Sequence, residues 1–223
     1  MHCVAQTNAC QARVAAAMSA SSAWQAAAGV LGATRRDAAR QLSSDTSALI
    51  AELGMGGGAF DVALEILETV RPDPQGAERV EFMVAANPGQ PPRPLRKVAS
   101  GGELSRISLA IEVAALGLDA VPTMVFDEVD SGIGGAVADI VGQKLRALGE
   151  RRQVLCVTHL PQVAAQGHAH YRVSKSASDG VTQSEVQALG AKQRQEELAR
   201  MLGGVEMTRE ARAAARRLLS DAG

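Results

Sequence analysis

Apolar residues change their spacing several times along the chain, and each change marks an element. Over residues 1–53 the apolar positions Val14, Met18, Leu31, Leu42, Leu49 and Leu53 are sparse, alanine and glutamine are abundant, and proline is absent. Strong helix formers without a wide apolar stripe predict a long helix that needs a partner. Leu42, Leu49 and Leu53 fit a seven-then-four coiled-coil spacing, while Gly29 and Gly32 are expected to interrupt what precedes them. An ordinary packed helical hairpin is the alternative. The run Gly54-Met55-Gly56-Gly57-Gly58 then ends the helix, because glycine accepts the left-handed conformation of a C-cap, and a boundary is placed there.

Beyond it, Phe60, Val62, Leu64 and Ile66 alternate, as do Val80, Phe82 and Val84, with the turn-rich RPDPQG between them. That period predicts two antiparallel strands with one buried face. After the extended, proline-rich NPGQPPRP, the apolar positions Leu104, Ile107, Ile111, Ala114 and Leu118 step by three and four, so an amphipathic helix begins just after Gly102. The apolar runs VPTMVF (121–126) and VLCVT (154–158) enclose a helical pattern at Ile133, Val137, Ile140, Val141, Leu145 and Leu148. Strand, helix, strand with both strands apolar throughout predicts a buried parallel sheet and an α/β fold. A hairpin around Ser178-Asp179-Gly180 and two Arg/Glu-rich helices, near 192–202 and 206–219, close the chain.

Composition narrows the function. With 223 residues and a formal net charge of -1, the chain can bury a core unaided but has no global attraction to nucleic acid, so a DNA contact needs a local basic patch. Aromatic residues make up 2% of the chain, too few for the stacking platforms of many single-strand binders. Cys3, Cys10 and Cys156 form no CxxC pair and fit a reducing compartment, and no apolar run reaches the roughly 18 residues of a membrane span. A soluble, cytoplasmic protein is expected. The pair Arg35-Arg36 and the C-terminal Arg209, Arg212, Arg216 and Arg217 read as solvated helical faces, with contact to DNA phosphate as the alternative for both. His168 and His170 read as a surface turn rather than a metal pair, because no third ligand is evident.

Ligands of a parallel sheet gather at the carboxyl ends of its strands. Asp127 and Glu128 end the first strand here, and Thr158 and His159 end the second, so two carboxylates and a histidine should share one rim. Adjacent carboxylates point to opposite sides, which argues for different tasks: one to hold magnesium through water, the next to orient or deprotonate an attacking water. Capping of the following turn is the bland alternative. Within VASGGELSRISLA (98–110), Ser100, Gly101 and Gly102 open a helix, where free N–H groups and the positive end of the dipole suit a phosphate, although Ser-Gly-Gly is also an ordinary N-cap.

Together these segments resemble the ATP-binding-cassette ATPases. VASGGELSRISLAIEVA is similar to the signature motif, TMVFDEVDSGIGG to a Walker B strand with its D-loop, and VTHLPQVAA to the switch-histidine segment. Valine rather than proline follows Glu128, and the order most closely resembles the SMC-like branch that acts in bacterial double-strand-break repair. The resemblance implies the C-terminal lobe of an ABC-type ATPase head (54–223), preceded by the returning helix of an antiparallel coiled coil (1–53). It implies that Ser100, Gly101, Gly102 and Glu103 meet the γ-phosphate of ATP on the opposite protomer, and that Asp127 supports Mg2+. Glu128 would activate water, His159 would sense the γ-phosphate, and Asp130, Ser131 and Gly132 would form a D-loop at the seam of a homodimer of ATP-sandwiched heads. DNA binding would belong to the complete protein, at the nucleoid.

A P-loop requires Gly-Lys before Ser or Thr. The four lysines, Lys97, Lys144, Lys175 and Lys192, follow Arg, Gln, Ser and Ala, so that half of the site is expected from an N-terminal half of the same protein, and the chain alone is expected to be inactive. A fragment of another SMC-like chromosome-maintenance ATPase and a non-catalytic assembly module are the rival readings.

Overall fold

The alanine-rich opening forms one α-helix, α1 (His2–Glu52), and the expected interruption at Gly29 and Gly32 does not occur. One glycine costs an internal helix only about 1 kcal/mol against alanine. Gly32 repays this by close approach, since a Cβ there would lie 2.5 Å from Oε1 of Glu78. The computed structural model describes residues 2–68, 71–98, 100–115, 121–178, 181–203 and 207–222, so Leu118 of the expected amphipathic pattern and the Asp179-Gly180 turn lie outside the described residues.

Gly54 ends α1 at φ +83°, and the Met55 N–H reaches back to the Ile50 carbonyl at 3.2 Å, closing the last turn as the glycine run predicts. The chain then forms β1 (Ala59–Ile66) and β2 (Glu78–Ala85), which pair antiparallel with Phe60 opposite Val84 and Val62 opposite Phe82; β3 (Arg93–Pro94) adds a short third strand. The buried face tapers: Phe60 and Val84 are buried at the base, whereas Ile66 and Val80 are exposed toward the tip. Two serines one turn apart on α1 cover the free edge of β1. Ser47 Oγ donates to the Phe60 carbonyl and accepts its N–H, and Ser43 Oγ accepts the Val62 N–H at 3.0 Å. Arg36, expected on a solvated face, instead pairs with Glu78 at 2.8 Å, because the hairpin lies along this side of the helix.

After a short 3-10 turn come α2 (Gly101–Ala114), β4 (Thr123–Phe126), α3 (Gly135–Gly149), β5 (Gln153–Cys156) and α4 (Pro161–Gln166). β4 and β5 pair parallel, with Phe126 opposite Cys156, as the strand-helix-strand pattern predicts. Their inner face joins the main core, which Phe126 shares with Ile50, Leu53, Phe60, Ile107 and Leu148. The expectation of a fully buried sheet is corrected: Val125, Leu155 and Val157 on the other face are exposed, because no described element covers that side. The antiparallel hairpin β6 (Tyr171–Ser178) and β7 (Val181–Ala188) and the helices α5 (Ala191–Gly203) and α6 (Arg209–Asp221) complete the chain. Ala164 and Ala165 of α4 form a second small core with Leu198, Ala199 and Ala215.

Candidate functional site

The rim begins where β4 stops. Asp127 and Glu128 are exposed, Val129 is fully buried and Asp130 is 1% exposed, so the chain turns inward within two residues. Glu128 takes φ +57°, the one positive φ outside glycine among the described residues. A non-glycine residue held there costs on the order of 1–3 kcal/mol and clusters at functional positions. The Ser131 N–H bonds the Glu128 carbonyl at 3.0 Å, and Gly132 follows at φ +73°, closing the turn.

The start of α2 docks on this same loop. Ser100 is its N-cap, with Oγ accepting the Glu103 N–H at 3.3 Å, and the helix-start amides ahead of Glu103 have no intrahelical acceptor. Ser105 Oγ donates to the Asp127 carbonyl at 2.6 Å, and Arg106, 7% exposed, donates to the Ser131 carbonyl at 2.7 Å. Burial pushes the Arg106 guanidinium below its ordinary value, and the nearby Glu103 opposes that. Gly102 is the tightly constrained one of the two glycines, because Gly101 meets only the end of a side chain that can swing away. A Cβ on Gly102 would lie 2.9 Å from Ser131 Cβ and 3.2 Å from the Glu128 carbonyl, and one on Gly101 would lie 2.6 Å from Oε2 of Glu128. The Ser-Gly-Gly turn therefore permits close approach by the chain's own carboxylate loop, and it leaves the helix start beside Glu128.

His159 arrives on the segment after β5, its side chain 70% exposed. Asp130 holds that segment: its carboxylate accepts the Thr158 hydroxyl and the N–H groups of His159 at 3.0 Å and Leu160 at 3.3 Å. The far end of α4 is fastened by two guanidinium groups. Arg146 of α3 donates to the Gln166 carbonyl, and Arg194 of α5 donates to those of Ala164, Ala165 and Gly167. Burial, followed by the charge of Arg146, lowers the pKa of Arg194.

Ser100, Gly101, Gly102, Glu103, Asp127, Glu128, Ser131, Gly132 and His159 are thus gathered around the ends of β4 and β5, whereas Asp130 turns away from the surface. Sequence reasoning missed Ser105, Arg106, Arg146 and Arg194, and it placed Thr158 at the strand end without its bond to Asp130. Arg106 carried a usable signal: it stands four residues after Gly102, on the helix face that the glycine opens, beside the buried Ile107. His168 lies in a turn, and the described residues contain no group of three metal-ligating side chains. Arg209, Arg212, Arg216 and Arg217 are exposed on α6.

A helix N-terminus, a strand-end carboxylate pair and a histidine on the neighbouring strand end, in this order and on this sheet, are the arrangement that the resemblance to an ABC-type ATPase head leads one to expect. The chain is similar to the C-terminal part of DNA repair proteins named RecN. It is 68% identical over 198 residues to the DNA repair protein RecN of Xylella fastidiosa, covering 89% of this chain and 36% of that protein. The RecN proteins of Haemophilus influenzae (47% over 195 residues, 87% of this chain and 35% of that protein) and Deinococcus radiodurans (48% over 174 residues, 78% and 30%) are also similar. The chain spans about a third of the length of the curated relatives it matches. No family model matches it. Among solved structures, an Smc head domain with coiled coil and joint from Pyrococcus yayanosii is 20% identical, covering 82% of this chain and 29% of that one, with TM-score 0.48. No helix among the described residues is long and apolar enough to cross a membrane.

Proposed function

We propose that this chain is the C-terminal lobe of a RecN-type ATPase acting in DNA double-strand-break repair, with 54–223 as the lobe and 1–53 as the returning strand of a coiled coil. The observation that carries the reading is the docking of the α2 start onto the Asp127–Glu128 loop, one strand away from His159. Each part has a distinct task there. The amides at Gly101 and Gly102 and the Ser100 hydroxyl present donors and the positive end of a helix dipole to a γ-phosphate on an opposite protomer. Glu128 orients and deprotonates the attacking water, and His159 donates to the γ-phosphate.

Asp127, exposed at the strand end, fits a magnesium ion that keeps most of its waters, since such an ion takes only one or two protein carboxylates. When bound, the cation would neutralise charge developing on the phosphate oxygens. The P-loop comes from an N-terminal half, and the uncovered Val125, Leu155 and Val157 support a sheet face that this half covers. Homodimerisation through ATP-sandwiched heads and DNA binding belong to that complete protein.

Turnover tests this reading. The isolated chain should hydrolyse ATP negligibly, its mixture with the P-loop half should be active, and Glu128→Gln should abolish that activity. Robust, Glu128-dependent hydrolysis by the chain alone would refute the divided site.

A further inference from the structure

The carboxylate of Asp130, 1% exposed, faces into the turn between β5 and α4. A single oxygen, Oδ2, gathers the Thr158 hydroxyl and two consecutive amides, those of His159 and Leu160, and lies 3.3 Å from Nδ1 of the His159 ring. Thr158 Oγ1 in turn accepts the Leu160 N–H at 3.0 Å. A carboxylate taken out of water is costly unless donors surround it, and here every donor belongs to residues 158–160. Two adjacent amides bound to one anion leave little freedom in the backbone that carries His159. With α4 fastened at its other end by Arg146 and Arg194, the imidazole leaves a rigid carrier at the end of β5.

We infer that Asp130 is a positioning residue for His159, which it holds through the backbone, rather than a contact across a dimer seam. The consequence for turnover rests on the ATPase reading, whereas the anchoring does not.

In the full-length protein carrying this chain, Asp130→Ala should lower kcat about 10-fold to 100-fold, the scale expected when a reacting group is misplaced by about 1 Å. The KM for ATP should stay within about twofold, because ground-state binding is untouched. The double variant Asp130→Ala/His159→Ala should be no slower than His159→Ala alone, since residues acting as one unit are not additive. Asp130→Asn, which keeps an acceptor oxygen, should recover part of the rate. An additive loss in the double variant, or a loss confined to KM or to ATP-dependent dimerisation, would overturn the inference.

Amide exchange in the chain by itself supplies an arm independent of ATP. Asp130→Asn should accelerate exchange at His159 and Leu160 by on the order of tenfold while the amides of Leu109 and Val141 keep their rates. Acceleration everywhere, or at none of these amides, would count against local anchoring. If Glu128→Gln left turnover intact, the ATPase reading would fail while this arm still decided whether Asp130 holds the segment.

Discussion

The two faces of the β4–β5 sheet are built from the same kinds of residue and meet opposite fates. Phe126 is 5% exposed and shares its face with Met124, Val154 and Cys156, all packed on the main core. One residue away along the strands, Val125 is 66%, Leu155 47% and Val157 61% exposed. Apolar continuity along a strand predicted that both faces would be covered, whereas the described residues cover only one. The bare face lies next to the rim where Asp127, Glu128 and His159 are also exposed. Under the proposed ATPase reading, apolar and rim groups left open side by side are what a divided nucleotide site requires of either half.

The sharpest break in this comparison is a matched pair of truncations. Phe126→Ala should cost about 3–5 kcal/mol by urea denaturation, as deletion of a buried aromatic does. Val125→Ala should stay within about 0.5 kcal/mol in the isolated chain, the range for exposed positions. A polar change at the bare face, Val125→Asp, should be equally mild alone yet prevent rescue of ATPase activity by the P-loop half. Gly102→Ala comes next. Its Cβ would press on Ser131 Cβ and two carbonyl oxygens, which overpacks a helix–loop contact at about 1–3 kcal/mol. Gly134→Ala, where a Cβ meets nothing within 4 Å, is the control and should be nearly silent.

Periodicity and turn chemistry made much of the fold legible. The alternation in β1 and β2, the parallel β4–β5 pair and the glycine stop after α1 could all be read because each is local. The uninterrupted helix could not, since what Gly32 does depends on Glu78, a residue distant in the chain. The candidate site divides in the same way. Ser100, Glu128 and His159 were visible as strand and helix ends, whereas the inward turn of Asp130 was not. Its neighbours in sequence are those of a surface loop, and its partners at 158–160 become adjacent only when β4 and β5 pair.

The small core of α4, α5 and α6 extends the comparison from apolar groups to charges. Arg200, hydrogen-bonded to Glu197 at 2.7 Å, holds that carboxyl below its ordinary value of 4.5, and the neighbouring Arg172 adds to this. Burial, and then the charge of Arg194, hold His170 below 6.5, although Glu197 opposes them. In both cases the unfolded chain takes up the proton first. Stability is therefore complete above about pH 6.5 and falls as His170 and then Glu197 protonate on acidification. Glu197→Gln should lower stability at pH 7 and flatten its acid dependence below pH 4.5; an unchanged slope there would show that other groups control acid unfolding.

The gentlest probe separates the two faces by thiol chemistry. Cys156 points into the core from β5, and burial, followed by the Asp130 and Asp127 carboxylates, pushes its pKa up to about 12. Only the thiolate alkylates, so at pH 8 Cys156 should react slowly with iodoacetamide, while Cys10, exposed on α1, reacts readily. Leu155→Cys in a Cys3→Ser/Cys10→Ser background places a second thiol one residue away, on the bare face, with little change in stability. It should alkylate quickly in the isolated chain and become protected when the P-loop half is added, with Cys156 slow throughout. Fast labelling of both would mean that the inner face opens in solution. Persistent labelling at 155 in an active complex would mean that the two halves join without covering this sheet.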